Sequence, residues 1–173
     1  GPKVNEGSKG VWLGLGEPVR DLPGDFSAAE LPAGVTEVRV FCRGCLVVGG
    51  PRYGDDAGAA RRIAQHPAFA AWPFLVLTDE PRRAAASAIN FLWTTFTRFE
   101  PAADLHAAAV EVTRNHLAYR SPILIDARLK PGFPEELSAD PETAATVTRR
   151  WKEYFPGGKV EMGDAEAAHL DAG

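Results

Sequence analysis

The chain has 173 residues, 45% apolar and 24% charged, with a formal net charge of −4, which suits one soluble domain with its own core. That acidic balance, with no Lys/Arg block longer than a pair, leaves no electrostatic footprint for nucleic acid. The longest nearly apolar run, FAAWPFLVL at 69–77, is under half the roughly 20 residues that a membrane-spanning helix needs.

The chain opens Gly-Pro-Lys, where the first two residues read as a remnant of protease cleavage, and shows no basic, apolar leader. A cytoplasmic location is therefore expected. Residues 1–34 carry seven of the 17 glycines and four of the 14 prolines, the composition of an extended arm or linker. Val35 to Phe41 sets Val38 and Val40 against Glu37 and Arg39, the period-2 pattern of a half-buried strand. Leu46 to Val48 predicts a buried strand closed by Gly49-Gly50-Pro51. Asp55 to His66 starts on candidate caps and stops before Pro67, predicting a helix of about three turns.

Pro73 to Thr78 is a short continuous apolar run, expected of a strand covered on both faces. Pro81 suits the first position of a helix, and Ala85, Ile89, Leu92 and Phe96 recur at helical spacing as its core stripe. Trp72, Trp93 and Trp151 sit on or beside apolar stripes and are expected in the core. Ala108 to Thr113 alternates as a strand, and Pro122 to Ile125 predicts another buried one. Asp140 followed by Pro141 starts a last helix whose stripe is Ala144, Val147, Trp151 and Tyr154 or Phe155, ended by Pro156. The order predicts an α/β domain at 35–155, a mixed, largely parallel sheet covered by helices. Residues 156–173 are small, acidic and glycine-containing, and a flexible tail is expected there.

Both cysteines fall in Cys42-Arg-Gly-Cys45. A thioredoxin-type pair needs a helix N-terminus to stabilise its thiolate, whereas LVV, a β-type run, follows here. A structural zinc needs four ligands, and the chain has no second Cys pair or suitably spaced His pair. The residues therefore read as a turn between two strands, with Gly44 in an unusual backbone conformation, and no metal site is expected. Ionisable residues cluster where strands end: Asp79, Glu80, Arg98, Glu100, His106, His116, Asp126, Arg128 and Lys130. Ligands of open α/β sheets bind beyond the carboxyl ends of the strands, so Asp79, Arg98, His106 and Asp126 form one candidate site. Asp79 and Glu80 also read as helix-start residues.

Several segments resemble the C-terminal domain of UbiD-type decarboxylases: the GCLVV strand at 44–48, PFLVLTDE at 73–80, INFLWTTFTRFEPAADLH at 89–106 and ILIDARLK at 123–130. Leu92-Trp93, Thr97-Arg98, Pro101 and Asp104 hold the spacing of one family run, and Asp126-Ala127 with Lys130 that of another. The resemblance covers about residues 35 to 155 and implies a reversible carboxy-lyase acting on aromatic or α,β-unsaturated acids with prenylated FMN, a divalent metal and potassium. In the family the cofactor, its acid/base residues and its metal ligands belong to another domain, expected here in a large partner subunit. The resemblance thus implies a small subunit, or an excised C-terminal domain, that has no catalytic residues of its own, serves homo- or hetero-oligomeric assembly and closes one side of the active site. It also places a substrate-contacting Leu in a loop, and Leu117, with His116, occupies a comparable stretch. A free-standing small-molecule binder or enzyme, built on the strand-end cluster, is the alternative reading.

Overall fold

A computed structural model describes residue 17 and residues 20–114, 116–134 and 140–160. Its strands are β1 (Glu37–Cys42), β2 (Cys45–Gly49), β3 (Phe74–Thr78), β4 (Leu105–Thr113) and β5 (His116–Asp126), and its helices are α1 (Ala59–Ala64), α2 (Pro81–Ala86), α3 (Ala88–Thr97) and α4 (Pro141–Tyr154). The strands make one sheet in the order β1-β2-β3-β5-β4. β2, β3 and β5 run parallel, and β1 and β4 pair antiparallel at the two edges. The class is the mixed α/β sheet that the alternation of patterns predicts.

The central strands are apolar on both faces because both faces are covered. Leu46, Val48, Leu75, Leu77 and Leu124 point to one side, where Ala60, Ile63, Phe69 and Trp72 from α1 and the turn after it complete a dry cluster. Cys45, Val47, Val76 and Ile125 point to the other, against Ala84 of α2 and Phe91 of α3. This alternation in adjacent residues is the period-2 geometry of a strand. Phe26 stacks on Phe69 with centroids 5.6 Å apart, so part of the predicted N-terminal arm lies against the first cluster. Residues 161–173 of the predicted tail and most of residues 1–19 lie outside the described residues.

The helices depart from expectation in three ways. The first helix is shorter, since Asp55 to Gly58 form turns in which the Asp56 carboxylate pairs with Arg62. The predicted second helix is two. Ser87 is extended, at φ −152° and ψ 165°, and its hydroxyl accepts from the Asn90 backbone N–H to start α3, which re-aims the helix after the break. As a result only Ala85 of the expected core stripe packs against the second cluster; Ile89, Leu92 and Phe96 face outward at 46, 52 and 59% exposed, with Trp93 beside them at 48%, and Asn90, Phe91, Thr94 and Thr95 turn inward. The Asn90 amide then donates to the Arg83 carbonyl. Finally, α4 forms as expected, with the Asp140 carboxylate accepting from the Thr143 N–H, but it buries no residue. Of the three tryptophans expected in the core, only Trp72 is buried.

β5 is far longer than the predicted Pro122–Ile125. It pairs with β3 only over 123–126 but with β4 back to His116, so the outer halves of β4 and β5 form a two-stranded ribbon projecting from the sheet. Arg120 clamps Glu111 across the ribbon with two bonds of 3.0 and 2.8 Å.

Phe69, fully buried in the first cluster, tests this packing. Phe69→Ala is expected to cost about 3 to 5 kcal/mol, read as a lower denaturation midpoint in urea with an unchanged slope.

Candidate functional site

The carboxyl ends of β2, β3 and β5 lie side by side, and the segment after β5 folds back over them. Arg128, in that segment, is fully buried. Its guanidinium makes a two-pronged bond to Asp126, Nε to Oδ1 at 2.8 Å and Nη2 to Oδ2 at 2.7 Å. Nη1 donates to the carbonyls of Pro51 and Asp56 at 2.9 and 2.8 Å, and the Tyr53 ring lies 5.1 Å from the guanidinium carbon. A buried charge is tolerable only when paired and hydrogen-bonded in this way. The pair thereby ties β5 to the loop between β2 and α1.

A second group closes the other side. Lys130 donates to the carbonyls of Arg98, Asp126 and Arg128 at 2.9, 2.8 and 3.2 Å and pairs with Asp104 at 3.0 Å. Asp104 also accepts from the Glu100 N–H at 2.7 Å, which shapes the turn between α3 and β4. Arg98 reaches Glu80 at 3.3 Å and Asp79 at 3.9 Å. Glu80 also takes Arg83 at 3.1 Å, and Asp79 accepts from the Leu129 N–H at 2.6 Å. Asp79 is therefore a tie to the loop after β5 and not the helix cap that its position before Pro81 suggested. Between these groups lies a cleft of about 830 Å³ bordered by Arg52, Asp79, Glu80, Arg98, Leu129 and Lys130.

Of the residues predicted to form a site, Asp79 and Arg98 meet. Asp126 is instead occupied by Arg128, and His106 stands on β4 opposite Leu124 in the strand register. Half-buried His106 has its pKa lowered, chiefly because burial disfavours the imidazolium; nearby Asp126 and Asp104 oppose this only in part. His116 and Leu117 are not in a loop. They open β5 against Thr113 and Val112, roughly 30 Å along the strand from Asp126 at about 3.3 Å per residue. Leu117 is 60% exposed, and the side chain of His116 lies outside the described residues. Sequence reading missed the burial of Arg128, although an arginine two residues after a buried strand's terminal Asp was a usable signal.

No family model matches the chain. Over 156 residues, 90% of the chain, it is 39% identical to a 4-hydroxybenzoate decarboxylase subunit of Chlamydia pneumoniae. The chain is a homologue of part of that decarboxylase subunit. Uncharacterized proteins of Chlamydia caviae and Chlamydia trachomatis match at 40 and 39% identity over the same length. In each case the chain spans about a quarter, 26%, of the relative's length. Among solved structures, the vanillic acid decarboxylase of Sedimentibacter hydroxybenzoicus in open form aligns at 17% identity with a TM-score of 0.41, covering 73% of this chain and 30% of that one.

Two outcomes follow from the buried charges. Arg128→Met strands the Asp126 carboxylate and is expected to cost about 3 to 5 kcal/mol, most of it recovered in Asp126→Asn/Arg128→Met, as a double-mutant cycle in urea would measure. With the His106 pKa lowered in the fold, acid protonates the unfolded chain first. Stability is then full above the ordinary value of 6.5 and falls as pH drops from there toward the folded pKa. His106→Asn should flatten that part of a stability-against-pH curve taken between about pH 5 and pH 7.

Proposed function

We propose that this chain is the assembly part of a UbiD-type decarboxylase or carboxylase, present as a small subunit or as one domain of a longer chain, which closes one side of an active site whose cofactor is held elsewhere. The observation that carries this reading is the outward face of α3. Ile89, Leu92, Trp93 and Phe96 present a contiguous apolar surface on a helix whose inner side holds Phe91 together with Asn90, Thr94 and Thr95. A helix placed to suit one domain alone would bury the apolar side, and exposed apolar patches of this kind mark interaction sites. The amphipathic α4 and the ribbon, with Val110, Val112 and Leu117 exposed, supply further uncovered apolar surface. The substrate class in this reading is an aromatic or α,β-unsaturated carboxylic acid.

The described residues do not fit prenylated FMN or its metal by themselves. No three His, Cys, Asp or Glu side chains among them converge on one point. The carboxylates of Asp79, Asp104 and Asp126 already hold backbone or cationic partners. No step of the reaction is assigned to this chain, and the cofactor with its divalent metal and potassium is assigned to the partner region.

A second reading, a small-molecule binder or enzyme with its site at the strand ends, draws on the cleft beside Asp79, Arg98 and Lys130. Asp79, Arg98 and Lys130 each hold partners within the fold already. An aromatic acid bound or turned over there by the isolated chain would favour that reading.

Phe96→Asp with Trp93→Asp puts two charges on the outer face of α3, where the fold itself is little affected. Purified with the cofactor-bearing region of the same enzyme, the variant is expected to lose co-elution and decarboxylase activity while keeping its own unfolding midpoint. An intact complex, or a cofactor-bearing region fully active alone, would rule the assembly role out.

A further inference from the structure

We infer that Cys42 and Cys45 form a modification site, a dithiol that closes reversibly to a cross-strand disulfide by exchange with a small disulfide such as oxidised glutathione. The inference is independent of the decarboxylase reading.

The geometry comes from the hairpin between β1 and β2. Its register runs Val40 opposite Leu46 and then, after slipping by one residue, Cys42 opposite Cys45. Without that bulge Phe41 would face Cys45. Only Arg43 and Gly44 lie between the two cysteines, and Gly44 takes φ +78°, which a side chain would strain. A Cβ on it would also press the Leu22 and Pro73 side chains at 3.0 and 3.2 Å. Directly opposed residues of antiparallel strands have Cα atoms about 4.5 to 5.5 Å apart, inside the roughly 4.4 to 6.8 Å that disulfides span. Closing the ring therefore needs side-chain rotation and little backbone movement.

The two thiols are unlike. Cys42 is exposed and Cys45 buried, both free. Burial and the neighbouring Cys42 sulfur, which lies within hydrogen-bonding reach, push the Cys45 thiol up to about 12. Exposure makes Cys42 the attacker and leaves Cys45 as resolver, and the raised Cys45 pKa slows that second step near neutral pH. The Cys42 thiolate attacks one sulfur of glutathione disulfide and expels a glutathione thiolate, leaving a mixed disulfide on Cys42. Cys45 gives up its proton and attacks the Cys42 sulfur, which expels the second glutathione. Two cysteine thiols lose two electrons and two protons, and one glutathione disulfide becomes two glutathione thiols. Excess reduced glutathione runs both steps backward.

The turn is also where the N-terminal segment is held. Gly44 N–H donates to the Pro23 carbonyl at 2.9 Å, and Arg43 Nη1 to the Leu22 carbonyl at 3.0 Å. The disulfide would thus brace the strand ends on which that segment rests.

The test treats the reduced, native full chain with oxidised glutathione and follows intact mass and peptide maps. The wild-type chain is expected to lose both reactive thiols and two hydrogen atoms of mass without an adduct, and to recover them in reduced glutathione. Cys45→Ser should stop with one glutathione on Cys42, and Cys42→Ser should stay unmodified over the same interval. The wild-type result decides the matter even if Cys45→Ser folds poorly. A wild-type chain that stops at the glutathione adduct, does not react, links to a second chain, or carries stoichiometric zinc in its reduced form would overturn the inference.

Discussion

Arg128 is a full positive charge with no solvent contact, and the end of the sheet is arranged around satisfying it. Asp126 at the tip of β5 takes two of its N–H groups, and two carbonyls from the loop between β2 and α1 take more. Because removing either partner would leave an uncompensated buried ion, β5, the segment after it and the first βα loop are held to one another. Lys130 repeats the device two residues on, gathering three carbonyls and Asp104. The strand ends where an α/β protein would hold a ligand are thereby given over largely to structure.

With its interior charges settled internally, the chain keeps its unsatisfied surface elsewhere. α3 turns an apolar side outward, α4 buries nothing, and a two-stranded ribbon extends past the last strand to which it could be joined. Isolated ribbons of that kind are marginal in water. These three features share one consequence: apolar side chains stay exposed among the described residues.

The hairpin of β1 and β2 shows how a motif can be read correctly and still incompletely. The residues after Cys45 exclude a helix-stabilised thiolate, and the turn forms as the pattern implies. The bulge that sets Cys42 opposite Cys45 depends on where Gly44 places its backbone, between Leu22 and Pro73, and no local pattern contains that information.

Period and punctuation were legible along the chain. Alternation marked β1 and β4, continuous apolar runs marked β2 and β3, and Asp140-Pro141 marked the start of α4, because these signals depend on neighbours within one or two turns. The short motifs around Leu92, Asp104, Asp126 and Lys130 carried the family likeness in the same way. Which face of a helix meets the core is another matter, since the spacing of Ile89, Leu92 and Phe96 defines a stripe but not its direction. Ser87 broke the helix, Asn90 found the Arg83 carbonyl, and the stripe went outward. The sequence by itself determined the elements and the family likeness; tertiary structure decided which charges became internal ties and which apolar side faced outward, because both depend on contacts between residues far apart in the chain.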